Sequence, residues 1–266
     1  MRLTQKLQEV LPKEHVCHVS NRIHIIGDVA ILSLPAEVEC NKKEIAEAVV
    51  SQSKNVRIVL NKISKLEGDR RVARFEVLSG IGGTVTDHKE YGFTYRLDVT
   101  QVFFKSHLAY EHHRVASQVR SSESVLVPFA GVGPFAIPIA ARGAEVMALE
   151  KSNSACRWLA ENLRANGVEE DAMIINADAF SILKLINRTF DRAVVPEPYG
   201  MDKILETITH AVRTGGVVHF YTFKKRQQIE GLVKIYEDMG FEIGLCRRCG
   251  NVAPGVSRWV FDLVKS

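Results

Sequence analysis

Long hydrophobic runs are missing from this 266-residue sequence. No apolar stretch approaches the roughly 20 residues that a membrane-crossing helix needs. The polar, amphipathic opening MRLTQKLQEVLPKEH is unlike a secretory signal. Cysteine is scarce and odd in number: five, at positions 17, 40, 156, 246 and 249. That argues against a disulfide framework and for a reducing, cytoplasmic setting. Charge of one sign is not in excess either. Lys and Arg number 35 against 31 Asp and Glu, a formal net charge of +4. This is little for a nucleic-acid coat protein and no bar to a selective RNA enzyme. Internal repeats and low-complexity segments are absent as well. What is present is an ordinary globular composition, 46% hydrophobic and 25% charged. The length suits one large domain or two modest ones.

The pattern changes along the chain. Residues 23–34 (IHIIGDVAILSL) read as two strands around a Gly27-Asp28 turn, residues 42–53 have helical spacing, and residues 56–60 read as a strand. Residues 71–78 and 94–99 add short alternating segments around the turn at 80–83. This predicts a small α+β domain over 20–100 with mostly antiparallel pairing, behind a helical segment at 1–19. Residues 101–266 then alternate helices with short buried strands: helix 107–120, strand 124–127, helix 133–141, strand 145–149, helix 152–166, strands 173–176 and 192–195, helix 201–212 and strand 216–221. Four- and five-residue apolar strands between helices predict an α/β, doubly wound parallel sheet.

The clearest signal lies at 125–135, VLVPFAGVGPF, an apolar strand running through Gly131 and Gly133 into an apolar helix. Glycine suits a tight turn that a ligand approaches without a Cβ in the way. The next strand, EVMALE, ends on Glu150, 17 residues beyond Gly133. A carboxylate at that tip can accept both hydroxyls of a ribose. Asp178, one strand later, is placed to accept from an adenine amino group. Together these resemble the way class I S-adenosylmethionine-dependent methyltransferases hold their cofactor on a Rossmann-like sheet. The fuller GxGxxG of a dinucleotide site is lacking.

The resemblance narrows with FAGVGPFAIPIA at 129–140, TGGVVHFYTF at 214–223 and APGVSRWVFDL at 253–263. From about residue 60 onward the chain is similar to the archaeal and eukaryotic tRNA guanine-37 N1-methyltransferases. The related wybutosine-pathway aminocarboxypropyltransferases share most of the pattern. The resemblance implies S-adenosyl-L-methionine as cofactor, held by Phe129, Ala130, Gly131, Gly133, Glu150, Lys151, Asp178, Ala179 and Pro196. It implies the tRNA anticodon stem-loop as partner, with no metal and no membrane, and a small RNA-contacting domain ahead of the catalytic one. Longer relatives carry a further N-terminal domain that docks on the tRNA elbow, for which this length leaves no room.

Two segments carry the expected chemistry. Gly68-Asp69-Arg70-Arg71-Val72 resembles the family's G-E-x-R, so Arg71 is assigned to the charge developing at the target base. Residues 102–114, VFFKSHLAYEHHR, resemble F-S-P-R-x-x-x-E-R-x-R. Glu111 matches the general base, and Arg114, Lys105 and His107 fall at substrate-binding positions. A carboxylate suits removal of the guanine N1 proton, and a fixed guanidinium suits charge growing towards O6. Read from the residues alone, Glu111 is a helix-surface carboxylate beside arginines, and Arg71 a member of a basic run.

The sequence also departs from the family pattern. Val127 replaces the acidic residue that usually ends the first strand. Lys105-Ser106-His107 replaces S-P-R, and Pro196-Glu197-Pro198 replaces N-L-P. Pro198 keeps a turn there, and Tyr199 is placed to stack on a base. Guanine N1 methylation is the expected reaction. Aminocarboxypropyl transfer, another tRNA base, or a silent tRNA-binding protein on the same fold are the alternatives. Elsewhere, Cys246 and Cys249 read as ordinary strand thiols, Arg247 and Arg248 as phosphate contacts, residues 224–226 equally as a basic cluster for tRNA backbone or a solvated helix start, and Phe103-Phe104 as core.

Overall fold

In the computed structural model, which describes residues 3–20, 23–65, 72–196, 198 and 200–266, the chain divides into two compact units, Met1–Ser106 and His107–Ser266. Helices α1 (Leu3–Val10) and α2 (Lys13–Ser20) open the first unit. Strands β1 (Ile23–Ile26) and β2 (Val29–Leu32) pair antiparallel around Gly27, whose φ of +55° only glycine adopts cheaply. Helix α3 (Lys42–Gln52) crosses over to β3 (Ile58–Lys62), which is parallel to β2, and β4 (Phe75–Gly80) returns antiparallel. One face of α3 (Ile45, Ala46, Ala48, Val49) is buried with Leu7, Leu11, Val16 and Val19, so the two N-terminal helices share this unit's core.

Strands β5 (Val85–Glu90) and β6 (Phe93–Asp98) form a separate hairpin. Arg57 pairs with Asp28 at 2.8 Å and donates to the Val85 carbonyl, joining that hairpin to the β1–β2 turn. Strand β5 escapes the sequence pattern because its buried positions are Thr86 and Glu90. Phe104 is buried against Tyr95, as expected for core, whereas Phe103 is 44% exposed.

The second unit runs α4 (Ala109–Ser117), β7 (Ser124–Pro128), α5 (Ala136–Ala140), β8 (Glu145–Glu150), α6 (Asn153–Ala165), β9 (Ala172–Asn176), α7 (Ala179–Leu183), β10 (Phe190–Val195), α8 (Ile204–Ala211), β11 (Val212–Lys224), α9 (Ile229–Asp238), β12 (Phe241–Ala253) and β13 (Val256–Lys265). The strands lie in the order β12-β13-β11-β10-β7-β8-β9. Strands β7 to β11 are mutually parallel, and β13 and β12 are added antiparallel.

This is the doubly wound, Rossmann-like sheet that the alternating pattern predicts. The closing hairpin is an addition, since its arginines, cysteines and glycines hide the strand period. Strand order reverses between β7 and β10, so the crevice beyond their carboxyl ends is where such sheets bind ligands. One face packs Phe220 and Phe261 edge-on against Tyr236 of α9, together with Ile204 and Ile208 of α8. The opposite face meets α4.

Candidate active site

Val125, Leu126 and Val127 are fully buried, so β7 is fixed in the sheet, and the chain must turn sharply as it leaves. Phe129, Gly131 and Gly133 all take positive φ, at +58°, +57° and +96°. For Phe129 this is strained backbone of the kind found at functional sites. The two glycines serve different ends. A Cβ on Gly133 would lie 2.6 Å from Leu159 Cδ1, so this residue lets α6 close on the loop. A Cβ on Gly131 would meet nothing within 4 Å among the described residues, which leaves its backbone facing open space.

Glu150 ends β8 beside that space. Its carboxylate accepts from Gly131 N–H at 2.9 Å and Ser152 N–H at 2.7 Å, one bond on each oxygen. Each oxygen keeps a lone pair for a further donor. Asn176 braces this tip by donating to the carbonyls of Glu150 and Lys151. Asp178 caps α7 through Ser181 N–H at 3.3 Å and lies 3.8 Å from Lys151 Nζ, both side chains being about half-exposed. Ala130 and Ala179 are buried, and Pro196 is half-buried at the end of β10. Loop, acidic tip and second acidic tip fit an adenosine-bearing cofactor: two anchored carboxylates can take hydroxyl or amino donors beside an unblocked glycine backbone. Phe135, two residues past Gly133, meets His112 edge-on (4.7 Å) and packs at a tilt on Tyr221 (5.3 Å), joining this loop to α4 and β11.

Glu111 lies at that junction and is 2% exposed. Oε2 accepts from Arg114 Nε and from the Tyr221 hydroxyl, each at 3.0 Å, and Oε1 accepts from the guanidinium of Arg247. The sheet arranges this. Tyr221, Val260 and Arg247 are register partners across β11, β13 and β12, so all three point to one face. Burial and the Glu111 charge push the Tyr221 hydroxyl well above its usual range, so it donates and stays neutral.

Behind Glu111 runs a continuous polar chain. Arg114 grips both oxygens of Asp262, at 2.6 and 3.2 Å, and Asp262 accepts from His219 Nδ1 at 2.6 Å. His219 Nε2 lies 2.7 Å from Arg192 Nη1, which can only donate, so Nε2 accepts and the proton sits on Nδ1. Arg192 pairs in turn with Glu123 at 2.8 Å. Burial lowers the pKa of His219, in keeping with a neutral ring. Burial alone would raise the Asp262 carboxyl, but hydrogen bonds from His219 and Arg114 hold it well below the usual range. Arg258, on the same face, stacks 4.8 Å over Phe223 and keeps a buried Nε with no hydrogen-bond partner among the described residues.

Several expectations change here. Arg114 commits its guanidinium to Glu111 and Asp262, so it orients the carboxylate rather than reaching outward. Arg247 faces Glu111, not phosphate. Lys224 is paired with Asp202 at 2.6 Å, which leaves Lys225 and Arg226 as the exposed part of the basic cluster. His112 is buried on Phe135 while His113 is exposed. Lys105 is half-buried and His107 exposed, on either side of Ser106. Pro198 is half-buried, and Arg71 and Tyr199 lie outside the described residues. Arg247 was expected at phosphate rather than here, and Tyr221, Asp262 and His219 were not anticipated. Their signal was a polar side chain inside apolar strands, VVHFY and WVFDL.

Two family models match the chain: the TRM5/TYW2 methyltransferase domain over residues 86–242 and the TYW2 N-terminal domain over residues 3–83. A tRNA (guanine(37)-N(1))-methyltransferase Trm5b of Pyrococcus abyssi is 34% identical over 80% of this chain, which spans 63% of that relative's length. A tRNA(Phe) (4-demethylwyosine(37)-C(7)) aminocarboxypropyltransferase of Pyrococcus horikoshii is 30% identical, over 98% of this chain and 95% of the relative. Among solved structures, a complex of aTrm5 with tRNALeu superposes with a TM-score of 0.85 at 27% identity, over 98% of this chain and 75% of that one. P. horikoshii TYW2 in complex with MeSAdo superposes with a TM-score of 0.76 at 28% identity, over 100% and 99%.

Proposed function

The chain belongs to the TRM5/TYW2 methyltransferase family, and from that premise we propose that it is an S-adenosylmethionine-dependent tRNA transferase placing a methyl group on N1 of guanosine 37. The observation that carries this reading is the pair formed by Glu111 and Arg247, beside the loop that Phe135 ties to both α4 and β11. An acceptor and a donor side by side match the N1–H and O6 edge of guanine.

S-adenosylmethionine supplies an electrophilic carbon on a sulfonium when bound. The chain's own residues do the rest. Glu150 offers its free lone pairs to the ribose hydroxyls, Asp178 accepts from the adenine amino group, and Gly131 leaves room for close approach. Arg247 is half-exposed and lies 5.1 Å over the Tyr110 ring, so it can turn from Glu111 towards O6 as the base enters. Glu111 Oε1 then takes the N1 proton while Arg114 and Tyr221 keep Oε2 in place. General-base assistance of this kind contributes about 10²–10⁴-fold. Arg71 keeps the role its motif match gives it, as a further cation for the charge at O6.

A second reading has specific support. The N-terminal match to the TYW2 domain and the end-to-end span with the P. horikoshii relative favour aminocarboxypropyl transfer. Nucleoside mass analysis separates the two. The enzyme is incubated with the cofactor and tRNA bearing either unmodified guanosine or 4-demethylwyosine at position 37. A methyl increment on guanosine supports the first reading. An aminocarboxypropyl increment on the tricyclic base replaces it with the second, and no product on either tRNA contradicts both.

A further inference from the structure

On the face of the sheet turned away from Glu111, the β12–β13 hairpin continues past α9 and leaves a groove of about 720 Å³. Arg226, Arg248, Asn251, Ser257 and Trp259 line it together with the hairpin tip. Strand alternation explains why. Successive residues of a strand point to opposite sides. Arg247 reaches Glu111, so Arg248 points the other way, and its register partner is Trp259. Trp259 continues the row of Phe261, on the α9 side, and its indole N–H donates to the Lys224 carbonyl at 3.2 Å, fixing the ring. Arg226 approaches from the short helix that follows β11. Arg226 and Arg248 are exposed, and neither forms an ion pair among the described residues. Among the described residues, no acidic side chain lines the groove.

Resting on the tRNA-transferase reading, we infer that this groove is a second RNA contact: a site for a single-stranded segment flanking the target nucleotide. The two guanidinia take its phosphates, and the tryptophan with the Asn251 and Ser257 side chains forms the floor beneath its sugars and bases. Unpaired cations around a fixed aromatic ring are the chemistry that follows a flexible nucleic-acid strand without reading its sequence. The position fits as well. The groove opens at the carboxyl end of the parallel strands, the end that carries Gly131 and Glu150. Its strand β13 is three strand spacings from β7, about 14 Å across the sheet. Residues 247 and 248 thus place one guanidinium at the reacting base and the next at the neighbouring backbone.

The test is binding of an anticodon stem-loop RNA by fluorescence anisotropy across a salt series, with steady-state transfer in parallel. Arg226→Glu with Arg248→Glu is expected to weaken RNA binding about tenfold or more and to flatten the log–log salt slope by about 1.4. S-adenosylmethionine affinity stays unchanged. Arg157→Glu with Arg164→Glu, an equal charge change on exposed positions of α6, is expected to have far less effect. In a Trp158→Phe background, RNA is expected to change the emission of Trp259. Wild-type affinity and slope in the Arg226/Arg248 variant, or an equal loss in the α6 variant, overturn the groove while transfer by the wild type upholds the enzyme. Failure of the wild type to bind any tRNA overturns both.

Discussion

Arg247, on the last hairpin of the chain, donates to Glu111 across 136 positions of sequence. The bond closes the site from the strand side while Arg114 holds the same carboxylate from within its own helix. Glu111 is therefore an oriented carboxylate with two buried partners and one, Arg247, that is half-exposed and proposed to move.

The movable partner is the first to test. Arg247→Ala is expected to lower kcat with tRNA by about 10²-fold, the scale for removing one donor at a developing charge. Arg247→Lys recovers only part, because an ammonium does not reproduce the guanidinium fork. Calorimetry should show unchanged S-adenosylmethionine affinity in both. A defect confined to cofactor binding would show that Arg247 has a different role.

Glu150 anchors the cofactor loop through two backbone donors. Glu150→Ala is expected to weaken S-adenosylmethionine binding by about 10–100-fold, since hydrogen bonds to a charged group contribute about 1.5–3 kcal/mol each. Calorimetry on a variant with wild-type circular dichroism measures this. Undiminished affinity would move the cofactor away from β8.

Asp262 carries Arg114. Asp262→Asn leaves a buried guanidinium without its counter-charge, at a cost of about 3–5 kcal/mol in urea unfolding. Transfer falls with it because Glu111 loses its brace, while cofactor affinity holds. A loss under 1 kcal/mol would show that the polar chain behind Glu111 is not a structural support.

The same chain sets a pH dependence. His219 is buried and neutral, with its pKa below the ordinary 6.5. Below that pH the unfolded chain takes up a proton that the folded one refuses, so stability falls with pH, by at most about 1.4 kcal/mol per unit. Asp262 is depressed in the folded state. Its contribution is present above the unfolded carboxylate value, near pH 4, and is lost only as pH falls further. Urea midpoints from pH 7 to 4 should therefore slope in the wild type and flatten in His219→Gln. Parallel slopes would exclude the histidine as the cause.

The glycine loop makes a purely structural prediction. Gly133→Ala combines a φ of +96° with a clash against Leu159, whereas Gly131→Ala meets open space and suffers only the positive φ. Gly133→Ala is thus expected to lose the more stability, by about 1–3 kcal/mol from overpacking. A reversed order of urea midpoints would contradict the packing described for α6.

The parts of this site that were legible in the sequence are local ones. Gly131 and Gly133 sit within one turn, and Glu150 ends the strand that follows, so spacing alone reports them. The parallel sheet was legible too, from short apolar strands between helices. Arg247 was not, because its partner is set by the register of β12 on β13, and that register shifts three times between Ile243 and Ala253. No periodicity survives such bulges. His219 and Asp262 were hidden for another reason: they are polar residues in core strands, where each satisfies the other.

Single-turnover transfer to tRNA carrying guanosine 37, followed by nucleoside analysis, tests the central claim most directly when wild type and Glu111→Gln are compared with cofactor affinity measured on both. The wild type is expected to yield 1-methylguanosine, and Glu111→Gln to bind the cofactor normally while transferring about 10²-fold more slowly or worse. Equal rates in the two proteins, or a product bearing an aminocarboxypropyl group, would contradict the account.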